Sequence, residues 1–281
     1  MDVYISIDME GIAGIATIDQ IVRGGGGYRN AQEMMTGEAN AAIEGAFAAG
    51  AEHVLINDSH GTMDNLLARD LDPRARVIQG SPKAQCMASG LGTNHGVALF
   101  IGYHAAAGAP GVLAHTFSSD FGAVRLNNRP VTEAEVNGLL AAQHGVPIGL
   151  VTGDNEVCAA TAAAFPGVLT VPVKTAEGVH AANSVHPSTA QDLIRAGAAA
   201  AVEKAATVEP LELPEKFVFE VGFQIPLAAE LAAATPGAER VDQLTVRCEA
   251  PDPNGVIDLV TIWATIAAHS ARSRLPMLAV R

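Results

Sequence analysis

Large planar side chains are scarce in this sequence of 281 residues: one tryptophan, three tyrosines and eight phenylalanines, with aromatics at 4% overall. Alanine and glycine are prominent instead, and small side chains let helices pack closely on a sheet. Cysteine is equally sparse. Cys86, Cys158 and Cys248 are far apart and odd in number, which excludes a disulfide framework or a CxxC metal knuckle and fits reduced, buried thiols. Basic residues are outnumbered, 17 against 30 acidic ones, for a formal charge of -13. That balance opposes attraction to phosphate backbones or anionic lipid, so neither nucleic acid nor a membrane surface is an expected partner.

Two further absences bear on location. No uninterrupted apolar run approaches the length of a membrane span. The start, Met1-Asp2-Val3-Tyr4-Ile5-Ser6, has no basic segment leading into an apolar stretch, so a secretory signal is not expected and a cytoplasmic protein is. Hydrophobic residues at 49% and charged ones at 17% exclude disorder, and the chain is long enough for one large domain or a main domain with a smaller one attached.

What is present is a series of short apolar runs, each leading through a polar or glycine-bearing turn and often into a helical pattern. They are Val3–Ile7, Val54–Ile56, Val97–Ile101, Ile148–Thr152 and Val168–Val173. This is the pattern of an α/β protein with a mainly parallel sheet flanked by helices. Helices are expected at Ala31–Ala49, ending at Gly50, and at Glu133–Gln143, ending near Gly145. Others are expected at Glu156–Ala164 and Pro187–Ala206, and a tight turn at Asn127-Asn128.

The pattern changes at Glu209-Pro210-Leu211-Glu212-Leu213-Pro214, where two prolines bracket an acidic stretch that cannot continue a helix. The expected division is an α/β catalytic domain over 1–210 and a small α+β domain over 211–281. The latter has strands at Phe217–Val221 and Leu244–Cys248 and a helix at Gly255–Ala271.

Chemistry gathers at strand ends. Asp8 and Glu10 close the first apolar run, and the two-residue period of a strand projects both from one face. Two buried carboxylates aimed at one point require a cation between them. Taken alone, the pair fits equally well an aspartate bonded to loop amides with Glu10 in solvent. The next runs, however, end in Asn57-Asp58-Ser59-His60 and Gly102-Tyr103-His104. Ligand crevices of open α/β sheets lie beyond the carboxyl ends of the strands, so Asp8, Glu10, His60 and His104 are expected to converge as metal ligands there. Such a mixed donor set suits zinc, the most frequent choice, and also manganese, cobalt or iron.

A further carboxylate would let one acid bridge two ions, about 3.5–4 Å apart in such centres. Glu133 is the candidate, because Thr132 and Glu135 match a capping box and leave Glu133 for another use, although both glutamates equally fit a structural role in the first helical turn. His115 follows a glycine-proline loop and is the candidate catalytic histidine. Asp58 shares strand parity with His60 and is expected to orient it, while Asp154 is expected to cap a helix. The other histidines, His53, His95, His144, His180, His186 and His269, read as surface or packing residues. Gly24–Gly27 lacks the lysine and hydroxyl of a phosphate loop and reads as a plain loop.

Ser6-Ile7-Asp8-Met9-Glu10-Gly11-Ile12, Asn57-Asp58-Ser59-His60, Gly102-Tyr103-His104, Pro110-Gly111-Val112 with His115, and Asn128-Arg129-Pro130-Val131 with Glu133 resemble the zinc D-aminopeptidases of the bacterial dipeptide-permease operon, peptidase family M55. The resemblance runs over nearly the whole chain. It implies two zinc ions, with Asp8 bridging them, Glu10 and His60 completing one site, and His104 and Glu133 the other. It implies His115 as nucleophile, short peptides with an N-terminal D-residue such as D-alanine as substrates, and a homodecamer of two stacked five-membered rings. The sequence departs from the family pattern in Ile18–Tyr28 and Phe117–Phe121. On the ligand types alone, a two-metal hydrolase of other amides, L-peptides or phosphate esters, or a non-catalytic peptide-binding or transport-associated protein, are the alternatives.

Overall fold

Alternation in the first strand sets up two layers. In β1 (Asp2–Ile7), Val3, Ile5 and Ile7 join one buried cluster and Tyr4 joins another on the opposite face. A strand covered on both faces reads as one apolar run, as this one does. The computed structural model describes residues 1–273; the end of the expected small domain, 274–281, lies outside them.

After β1 come a short helix α1 (Ile18–Ile21), α2 (Tyr28–Ala48), β2 (His53–Asp58), β3 (Arg76–Ile78) and β4 (His95–Tyr103). They are followed by β5 (Phe121–Leu126), β6 (Arg129–Pro130), α3 (Glu133–Gln143), β7 (Ile148–Asp154) and α4 (Asn155–Ala164). Next are β8 (Leu169–Gly178), β9 (Ala181–Ser184) and α5 (Pro187–Lys204). The first sheet runs β3-β2-β1-β4-β7-β8-β9, parallel throughout except for the antiparallel edge strand β9. The mainly parallel sheet flanked by helices is therefore the fold. The hairpin from β8 into β9 is an addition to the expected plan: Val168–Val173 continues as a strand to Gly178.

On one face of that sheet α2 and α5 pack together, with Met35, Ala39 and Ile43 of α2 and Ala190, Ile194 and Ala198 of α5 in one cluster with Val3, Ile5 and Ile7. The alanines let these helices lie close. Helix α2 begins three residues earlier than its apolar pattern suggests, because Tyr28 is itself buried, its hydroxyl donating to Asn65.

The remaining elements are β10 (Phe217–Phe223), α6 (Pro226–Ala232), β11 (Ala238–Arg240), β12 (Thr245–Ala250) and α7 (Pro253–Ser273). They build a second, antiparallel sheet in the order β11-β12-β10-β5-β6. In β10, Phe217, Phe219, Val221 and Phe223 are buried in alternation, and Phe219 and Phe223 pack on Trp263 of α7, whose indole Nε1 donates to Thr235. One edge of β10 takes β12 and the other takes β5, with Phe219 opposite Leu126 and Val221 opposite Val124. This sheet thus takes strands from both sides of the proline-bracketed stretch at Glu209–Pro214. A lone pair of C-terminal strands would leave one edge of β10 unpaired, and β5 satisfies it. No helix among the described residues is long and apolar enough to cross a membrane.

The strand order places β2 on one side of β1 and β4 on the other. The chain reverses direction across the sheet between β1 and β4, and a crevice opens beyond their carboxyl ends.

Candidate metal centre and active site

Asp8 follows β1 directly, its amide donating to Ile101 O at 2.9 Å, and Glu10 lies in the turn beyond. The two carboxylates therefore converge through a turn and not through strand alternation, which ends at Ile7. The turn presses against the end of β4: Gly11 N donates to Gly102 O at 2.7 Å. A Cβ on Gly11 would sit 2.1 Å from Tyr103 O, and one on Gly102, where φ is +68°, 2.4 Å from Asp8 O. Only glycine permits this approach, which brings the end of β1 against the end of β4.

Four elements then aim side chains at Asp8 and Glu10. His60, beyond β2, places Nδ1 2.9 Å from Glu10 Oε2 and 3.4 Å from Asp8 Oδ1. His104, beyond β4, places Nε2 3.3 Å from Asp8 Oδ2 and 3.3 Å from Glu133 Oε2. Glu133 opens α3, where Thr132 caps the helix by accepting from Glu135 N while Glu135 Oε2 accepts from Thr132 N at 2.8 Å. With the cap met by Glu135, Glu133 turns inward, and its Oε1 accepts from Phe117 N. His115 places Nε2 3.9 Å from Glu10 Oε1 and 3.8 Å from Glu133 Oε1. All six residues singled out by sequence are thus in one cluster.

Each imidazole is oriented by a backbone carbonyl. His60 Nε2 bonds Ile21 O at 2.8 Å, His104 Nδ1 bonds Ala105 O at 3.0 Å, and His115 Nδ1 bonds Leu113 O at 2.9 Å. Each contact requires a proton on that nitrogen and leaves the other as the one facing the carboxylates, the arrangement that presents imidazole to a metal. Leu113 and Phe117, flanking His115, hold positive φ values of 55° and 61°, and such strain persists where the surroundings enforce it.

The electrostatics demand a cation. Burial opposes protonation of His60 and His104, yet Glu10 beside the first, Glu133 beside the second and Asp8 beside both push the two imidazoles well above the usual histidine range. Burial would raise Asp8, but the two histidines hold it down at about 2. His104 Nε2 is nonetheless a buried atom without a hydrogen-bond partner. A buried imidazole nitrogen facing two carboxylates and bonded to neither is what a metal ligand looks like without its ion, so the residues present fit a metal. Two donor sets share Asp8: Asp8, Glu10 and His60, and Asp8, His104 and Glu133.

A cavity of about 480 Å³ opens over the cluster, lined among others by Ile21, Val22, Met63, Leu113, Phe117 and Val179. A larger groove of about 890 Å³, beside α3 and α4, contains none of the six residues and is not where the chemistry gathers.

Other expectations change in detail. Asp58 does not touch the His60 ring; it accepts from Asn65 N and Leu66 N at 2.6 and 2.7 Å, and Asn65 Nδ2 in turn donates to His60 O at 2.6 Å. Asp154 caps α4 through Oδ1 and with Oδ2 accepts from Val112 N at 2.7 Å, steadying the segment that leads to His115. The cysteines are free thiols, and burial pushes Cys86 up to about 11 and Cys158 to about 12. His180, read from sequence as a surface or packing residue, lies exposed at the cavity rim. Lys174 had no role by sequence, yet it is buried at 3% exposure and its ammonium binds the turn that carries Glu10. The available signal was a lysine at the end of the apolar run Leu169–Val173.

A mainly parallel α/β sheet with a buried carboxylate and imidazole cluster at its strand ends, under an open cavity, defines a metal-dependent hydrolase. The D-aminopeptidase family model, Peptidase M55, matches residues 1–262. A D-aminopeptidase of Bacillus subtilis (strain 168) is 35% identical over 272 residues, spanning 96% of this chain and 99% of the relative. The solved structure of the zinc-dependent D-aminopeptidase DppA from Bacillus subtilis, a self-compartmentalizing protease, superposes with a TM-score of 0.92 at 33% identity and covers 95% of this chain and 98% of that one. The chain belongs to the D-aminopeptidases of peptidase family M55, and is by class a metallo-aminopeptidase.

Proposed function

We propose that the chain is a binuclear zinc aminopeptidase that releases N-terminal D-amino acids, of the D-alanine type, from short peptides. The observation that carries this reading is the position of Asp8, with Oδ1 3.4 Å from His60 Nδ1 and Oδ2 3.3 Å from His104 Nε2. One carboxylate faces two donor sets, so Asp8 would serve both ions, Glu10 and His60 would hold one, and His104 and Glu133 would hold the other. When bound, the ions supply Lewis acidity toward a scissile carbonyl and make nearby water acidic near neutral pH. Manganese, cobalt and iron suit the same donors, and zinc is supported by the description of the Bacillus relative.

The chain's own residues do the rest. His115 Nδ1–H donates a hydrogen bond to Leu113 O, so Nε2 is the atom that takes or returns a proton at the cleaved bond. That nitrogen lies 3.9 Å from Glu10 Oε1 and 3.8 Å from Glu133 Oε1, so it faces the centre where the ions would sit. The apolar wall formed by Ile21, Val22, Leu113 and Phe117 restricts water around the peptide. The self-compartmentalizing relative supports self-assembly of this chain, and in this reading the assembly is a decamer of two stacked five-membered rings acting in the cytoplasm. All six site residues belong to the proposed catalytic unit 1–210, and the smaller unit proposed over 211–281 shares its antiparallel sheet with β5 and β6 of that unit.

The test is elemental analysis of the purified protein joined to a substrate panel of D-Ala and L-Ala para-nitroanilides and a phosphate ester, with and without chelator. Two zinc ions per chain and chelator-sensitive turnover of the D-substrate are expected. Faster turnover of the L-substrate or the ester would replace the substrate assignment, and bound metal with no hydrolysis would make the chain a binding protein.

A further inference from the structure

We infer that Lys174 is a positioning residue for the Glu10 half of the metal centre, its ammonium gathering the turn after β1 and so fixing where the Glu10 carboxylate points. From Asp8 to Ala13 the chain is buried but forms neither helix nor strand, and buried carbonyls outside regular structure need donors from elsewhere. The carbonyls of Glu10, Ile12 and Ile15 all turn toward one place, and Lys174 Nζ occupies it, donating to Ile12 O at 3.0 Å, to Ile15 O at 2.6 Å and to Glu10 O. An ammonium has three N–H groups, and these three carbonyls use them all. Among the described residues Lys174 makes no ion pair, so this buried charge serves backbone and not a carboxylate partner. Burial pulls its pKa down to about 8, with Glu38 the foremost charge opposing that fall.

Two further side chains clasp the same turn. Glu38 of α2 accepts from Ala13 N at 2.8 Å, and Ser184 of β9 accepts from Gly14 N at 3.1 Å. One of the carbonyls held by Lys174 belongs to Glu10 itself, whose Oε2 lies 2.9 Å from His60 Nδ1. The tether therefore acts one residue's length from the ligand atoms of one donor set. The other set is completed by His104 and Glu133, from β4 and α3, which the tether does not touch.

This inference rests on the binuclear reading above, and its test separates the two. In the full-length protein, K174M, K174Q and K174R are compared with the parent by amide hydrogen exchange of the metal-free form and by zinc titration with metal content measured. K174M is expected to raise exchange in Asp8–Ala16 at least about tenfold while the sheet containing β10 and β12 keeps its protection. It should also weaken one of the two zinc ions by roughly 10–100-fold, the range for outer partners of ligands, and leave the other within about threefold. K174R, which keeps donors and charge, should retain more than K174M. If K174M does not fold, K174Q, which keeps two N–H donors, carries the same comparison. Unchanged exchange in Asp8–Ala16 overturns the tether, and equal weakening of both ions with a global fall in protection overturns the positioning role. A parent that binds no zinc overturns the metalloenzyme reading instead, while the exchange of Asp8–Ala16 still decides the tether.

Discussion

The rings of His104 and His115 lie stacked, with centroids 4.2 Å apart and planes 13° from parallel. His104 turns its free nitrogen to Asp8 and Glu133, and His115 turns its own toward Glu10 and Glu133 from longer range, at the cavity wall. Replacing His115 with alanine should lower kcat by roughly 10²–10⁴-fold, the usual worth of a positioned proton-transfer group, with metal content unchanged. Glu10, His104 and His115 also form a third donor set, so loss of metal in H115A would make His115 a ligand.

Asp8 is the carboxylate common to both principal donor sets. D8N should therefore weaken both ions, and E133Q only the one held with His104. Each loss should exceed the roughly hundredfold upper range for outer partners. Metal analysis after dialysis at graded free zinc reads both, and a D8N protein that keeps one ion at parental affinity would remove Asp8 as the bridge.

The metal-free protein should respond to pH in a definite direction. Burial works against the charged imidazoles, but Glu10, Glu133 and Asp8 outweigh it and raise His60 and His104 well above 6.5. A group with a raised folded pKa contributes its full stability below the unfolded value and loses it as pH climbs through the folded one. Asp8, held at about 2 against an ordinary 3.8, contributes above 3.8 and loses it as pH falls toward 2. The chelated protein should thus lose thermal stability as pH rises from 6.5. Zinc, which competes with those protons, should protect more at pH 8.5 than at 6.5. Calorimetric Tm values for both forms across that interval check it, and a constant gap between them would contradict the assignment.

Two glycine variants separate strain from site disruption. Gly50 has φ +90°, and a methyl added there would meet nothing within 4 Å, whereas at Gly102, φ +68°, it would meet Asp8 O at 2.4 Å. G50A should cost about 1–2 kcal/mol of stability, the penalty for left-handed backbone, with metal content intact. G102A should cost more and release metal, because Asp8 must move. Equal losses of Tm with metal retained in both would show that the contact between the ends of β1 and β4 does not set the site.

Much of the first sheet is legible in the sequence because each strand is a short apolar run with its own turn signals. The capping box of α3 is legible too, since Thr132 and Glu135 interact at a separation of three residues. The pairing of β5 with β10 is not, because Phe121–Leu126 carries no mark of which edge it will cover some 95 residues later. Lys174 is illegible for the same reason: its partners lie about 160 residues away and are backbone carbonyls, which every residue has. His60 reveals its place at a strand end by sequence, but not that Ile21 O, rather than Asp58, orients its ring.

The types of donor and their positions after successive strands follow from the sequence alone, because strand period and turn chemistry are local properties of a few neighbouring residues. Two things were decided only in the tertiary structure. Asp8 directs its two oxygens at different histidines, and Glu10 arrives through a turn pressed against Gly102 and tied down by Lys174. Each depends on how closely β1 and β4 approach and on which distant groups satisfy the backbone between them, and those are set by packing across the whole sheet.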